Sequence, residues 1–106
     1  MVVHHPRLAW EAARTFVSAS ESEPAFTWLS DQVRELLGPA YQDALAGTRR
    51  HLARPVRVDA RDVEAGTWRV RLQDLLNNQP ALTGPLQALI SQAAARQRPA
   101  SDLPVN

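Results

Sequence analysis

Apolar residues recur every three to four positions through most of this chain, the spacing of one face of an α-helix. Leu8, Ala9, Ala12, Ala13, Phe16 and Val17 predict a first helix from Arg7 to about Ser18, with Trp10 on the flank of the stripe. Pro6 opens it, since proline fits a first helical turn and not a helix interior. A polar connector over Ser18–Glu23 offers Ser22 or Glu23 as an N-cap, and Pro24 then starts a second helix to about Leu37 on Phe26, Leu29, Val33, Leu36 and Leu37. Gly38-Pro39 stops that helix and permits a restart. Tyr41, Ala44, Leu45, Thr48 and Leu52 mark a third helix to about Arg54, ended by Pro55. So short a link predicts a helical hairpin rather than one kinked rod.

Pro55–Val58 alternates apolar and basic residues, but four residues with no second strand candidate make a loop and not a sheet. A fourth helix follows over about Asp62–Leu76, with Asp59 and Asp62 as caps and Gly66-Thr67 offering an alternative start at Thr67. Its core face is Trp68, Leu72, Leu75 and Leu76, and Val70 lies beside Arg69 and Arg71. Asn77–Pro80 is a turn by composition. The last helix runs from about Leu82 to Arg96 on Leu82, Leu86, Leu89, Ile90 and Ala93. Pro85 would clash with the Ala81 carbonyl in a continuous helix, so regular helix begins at Leu82 or Thr83.

These elements predict an all-α fold, a compact bundle of four to five helices built from two helical hairpins with the first helix packed across them. Leu72 and Leu89 are expected to face each other across the Asn77–Pro80 turn. At 106 residues the chain is expected to form a single helical domain over residues 1–98, and 99–106, polar and rich in proline, a flexible tail.

Composition narrows the chemistry. There is no cysteine, which removes disulfides, thiolate nucleophiles and cysteine-containing zinc sites. The N-terminus has no basic stretch followed by an apolar run, and no window nears the roughly 18 apolar residues of a membrane span. A cytoplasmic protein without a membrane partner is expected. All 12 basic residues are arginine, a bias characteristic of high genomic GC content, as in actinobacteria.

Net charge is +1, unevenly spread. Residues 1–48 hold three arginines against six carboxylates, residues 49–71 hold seven arginines against three, and residues 72–106 balance. Arg50, Arg54, Arg57 and Arg61 recur at helical spacing and would form a basic ridge, but Pro55 interrupts it. Asp59, Asp62 and Glu64 neutralise part of this cluster.

Candidate catalytic groups are sparse. His4-His5 has no further ligand at helical spacing, so no metal is expected. His51, between Arg50 and Leu52, reads as an exposed helix histidine. No serine sits in a glycine-flanked nucleophile turn, and the four glycines are isolated, so neither a hydrolase site nor a phosphate cradle is formed. The expectation is a non-enzyme without a cofactor.

Trp10, Trp28 and Trp68 read first as core anchors, because aromatics dominate core energetics. Trp28 leans off the Phe26–Leu29–Val33 stripe, which also suits it to a helix contact between chains.

The run Trp68-Arg69-Val70-Arg71-Leu72-Gln73-Asp74-Leu75-Leu76, followed by Pro80-Ala81-Leu82, Leu86 and Leu89-Ile90, resembles a pattern in small uncharacterised actinobacterial helical proteins. That resemblance covers about a third of the chain and implies a helical fold and no particular activity.

The functional expectation is therefore a non-catalytic interaction or assembly module. It would meet a protein partner, or a second copy through the Phe26–Leu37 helix, with Trp28, Arg50, Arg54, Arg57 and Arg61 as contact residues and opposite charge on two segments guiding orientation. The alternative is a helical nucleic-acid-binding protein using the arginine-rich segment 49–71.

Overall fold

A computed structural model describes residues 5–53 and 58–97. They form five α-helices: α1 (His5–Ser20), α2 (Glu23–Leu37), α3 (Pro39–Ala53), α4 (Ala60–Asn78) and α5 (Thr83–Gln97), with a 3₁₀ turn at Pro80–Leu82 before α5. The architecture is an all-α bundle with no strand among the described residues. None of the described helices is long and apolar enough to cross a membrane.

Local chemistry explains the boundaries. α1 extends through Ser18 to Ser20, so the expected six-residue connector shrinks to Glu21 and Ser22. Ser20 is buried, and its hydroxyl donates to the Phe16 carbonyl at 2.8 Å, which lets a polar residue stay inside the helix. Ser22 caps α2 through its carbonyl, which accepts from the Phe26 N–H at 2.8 Å. Gly38 ends α2 at φ +103°, and its N–H reaches the Arg34 and Val33 carbonyls. The chain then turns back, and the Gln42 amide donates to the Ser30 hydroxyl at 3.1 Å, closing the expected α2–α3 hairpin.

α4 begins at Ala60, capped at Asp59, and runs through Gly66-Thr67 without a break. The alternative start at Thr67 does not occur, because Ala65 and Trp68 on either side are buried and hold that turn in the helix. The break after α4 is at Gln79, whose N–H bonds the Leu75 carbonyl at 2.8 Å. Regular helix resumes at Thr83, where Pro85 occupies the first turn.

The core is organised around α1, which packs most extensively on α4 and also meets α5, α2 and α3. Leu8, Ala9, Ala12, Ala13, Phe16, Val17 and Ala19 are all buried, a surface too wide for a helix with one covered side. The small alanines let neighbouring helices approach closely. The expected second hairpin is therefore not a directly packed pair: α4 and α5 are consecutive but scarcely touch, because α1 stands between them and each packs chiefly on it. Leu72 and Leu89 are both buried in the same core cluster.

Candidate interaction surface

The face of α2 that its periodicity offered for docking is occupied within the chain. Leu29 and Val33 are fully buried, and Phe26, Leu36 and Leu37 pack against the core. Trp28 is half-buried against the same core, with the Arg96 guanidinium of α5 over its indole at 4.4 Å from the ring centre. A cation so placed is attracted to the ring face.

The arginine-rich segment is dispersed. Arg49 donates to the Ser20 carbonyl at 2.8 Å and lies over Phe26 at 4.9 Å, tying α3 to the end of α1 and to α2. Arg61 pairs with Glu21 at 2.9 Å, bridging α4 to the α1–α2 connector. Arg69 donates to the Gln73 side chain at 3.2 Å, and Arg71 lies 4.8 Å over Trp68. Arg50 is exposed on α3. Arg54 and Arg57 lie outside the described residues, as do His4 and the 99–106 segment. The expected contact residues therefore do not converge: Trp28 belongs with α5, and Arg61 with the α1–α2 connector.

His51 is exposed, as expected, and its Nδ1 lies 3.2 Å from Oε2 of Glu64, an α3–α4 contact that adjacent sequence could not show. Among the described residues no group of three or more histidines, aspartates and glutamates is placed to hold a metal.

The outward side of α4 carries what the sequence reading missed. Val63 is 39% exposed and Val70 51%, seven residues apart and within about 20° of each other around the helix. Thr67 lies between them, exposed, with its hydroxyl donating to the Val63 carbonyl at 3.0 Å. Val58, just before α4, is fully exposed. α4 is thus apolar on two sides, with Trp68, Leu72, Leu75 and Leu76 inside and the two valines outside. The detectable signal was the i, i+7 pair, overshadowed by the stronger core stripe on the same helix.

Asp62 and Arg69 lie on one side of α4 and Glu64 and Arg71 on the other, each pair near a right angle to the valine stripe, while the exposed Asp74 lies about 40° from Val70 around the helix. Comparison with protein-family models, curated proteins and solved structures finds no match for this chain.

Proposed function

We propose that this protein is a non-catalytic helical module that docks a protein partner through exposed helix faces. The observation that carries this reading is the Val63–Val70 stripe on the outer side of α4. β-Branched residues are mediocre helix formers and gain nothing from contact with water, so two in register on an exposed face favour a partner that covers them. Trp28, half-exposed, and Arg50, exposed, join them as contact residues, because tryptophan and arginine are the side chains that most often dominate interface energies.

Structural use of Arg49, Arg61 and Arg71 by Ser20, Glu21 and Trp68 favours protein contact over nucleic-acid binding by segment 49–71. The cysteine-free composition supports a cytoplasmic setting, and the all-arginine basic set supports an actinobacterial one.

The test is a photo-crosslinking scan in cells that make the protein natively. A crosslinking residue at Val63, Val70, Trp28 or Arg50 should give a protein adduct of discrete mass, and one at the exposed Gln87 of α5 should not. Adducts at none of the four positions would overturn the docking reading, and adducts to nucleic acid from Arg50 would replace it with the alternative.

A further inference from the structure

We infer that the cleft between α2 and α5 is a separate docking site, and that its occupant is an extended peptide segment of a partner protein carrying one large apolar side chain beside a lysine or arginine. The site shares no residue with the Val63–Val70 stripe and so goes beyond the docking reading above.

α2 packs chiefly on α3, and α5 chiefly on α1, which leaves the seam between α2 and α5 slack. The two helices run antiparallel along it: Trp28 meets Arg96 towards one end, and Gln32, Glu35 and Leu36 meet Ala88, Leu89 and Gln92 towards the other. The guanidinium over the indole bridges the first end. Further along, the small side chain of Ala88 leaves an open cleft of about 240 Å³ over Leu36 and Leu89.

Size limits the occupant. A cavity of about 150 Å³ holds one benzene ring, and pockets for drug-sized ligands run to about 300–1,000 Å³. At about 240 Å³ the cleft suits one large apolar side chain rather than a cofactor. Leu36 and Leu89 give that anchor an apolar bed, the setting in which a single interface residue contributes most.

The rim specifies what carries the anchor. Gln32 of α2 and Gln92 of α5 line facing walls, and neither amide has a hydrogen-bond partner among the described residues. Each offers both a donor and an acceptor. A helical partner pairs its backbone groups internally, whereas an extended segment brings N–H and C=O groups that must find partners. The two amides therefore suit a main chain lying along the cleft. Glu35 is exposed and without an ion pair among the described residues, and of those that line the cleft it is the one charged side chain. Its complement is a cation next to the anchor.

Selection of a displayed library of random linear decapeptides on the immobilised full chain tests the inference. Enriched peptides should share a leucine, isoleucine, methionine or phenylalanine within two positions of a lysine or arginine. Once synthesised, they should shift the side-chain amide signals of Gln32 and Gln92 in NMR spectra. A88W, which fills the cleft from an exposed position, and E35R should each weaken binding about tenfold. N-methylation of the peptide groups flanking the anchor should weaken it about fivefold, and V70S on α4 should leave it within about twofold of the parent. Helical circular dichroism and thermal melting establish that each variant is folded. Enrichment of no sequence that binds the parent better than A88W overturns the inference, as do peptides that bind as helices or that E35R leaves unaffected. A photo-crosslinking residue at Ala88 that joins only to residues 98–106 of its own chain would replace the partner with that segment. Adducts at Val63 and Val70 do not pass through this cleft, so the docking reading of α4 fails or survives separately.

Discussion

The indole N–H of Trp68 donates to Oγ1 of Thr48 at 2.7 Å, and both side chains are buried. The hydroxyl in turn donates to the Ala44 carbonyl at 3.3 Å, so it is satisfied in both directions. Around the same ring, Phe16 of α1 stands edge-on at 5.1 Å and Tyr41 of α3 lies tilted at 6.4 Å. One side chain therefore joins three helices by packing and fixes its orientation by a single hydrogen bond.

Thr48→Val keeps the shape at that position and leaves the Trp68 N–H without its acceptor. The expected loss is about 1–3 kcal/mol, the cost of a buried unsatisfied donor. Urea unfolding should show it, and Thr48→Ser, which retains the acceptor, should lose less. An unchanged midpoint for Thr48→Val would mean that the indole N–H finds another partner.

Gly38 provides a second test. At φ +103° and ψ 170° its backbone lies where only glycine is at ease, although a Cβ there would meet no neighbour within 4 Å. Gly38→Ala should therefore cost about 1–3 kcal/mol through backbone strain alone. Gly66→Ala, in ordinary helical conformation with equal space, should not destabilise the monomer.

The central position of α1 is tested by enlarging its alanines. Ala12 and Ala13 have no exposed surface, so Ala12→Leu or Ala13→Leu must displace neighbouring helices, at about 1–3 kcal/mol. Ala94→Leu on the exposed side of α5 should stay within about 0.5 kcal/mol of the parent. Equal stability of the three variants would contradict the burial of α1.

Leu72 and Leu89 anchor α4 and α5 in the core. Truncating either to alanine should cost about 2–5 kcal/mol in thermal or urea unfolding, the range for buried leucines. Parent-like melting of both variants would show that neither helix is docked as described.

The sequence by itself determined the all-α class, a bundle of four to five helices and most of their ends, because apolar spacing, proline and glycine act within a few residues along the chain. Pro24, Gly38-Pro39 and Pro85 act on their own or adjacent turns, and α2, α3 and α5 begin or end accordingly. The inward residues of α4 were legible for the same reason. Only the tertiary structure decided that α1 stands among the other helices, since an alanine-rich stripe reads the same whether one neighbour covers it or four. It also decided which arginines are engaged: Arg49 finds Ser20 and Phe26, and Arg61 finds Glu21, through contacts between residues 23 to 40 positions apart. The outer face of α4 became visible once the structure showed which side Trp68 and Leu72 bury. Val63 and Val70 fall opposite them, and burial is a property of the assembled helices that residue type alone does not carry.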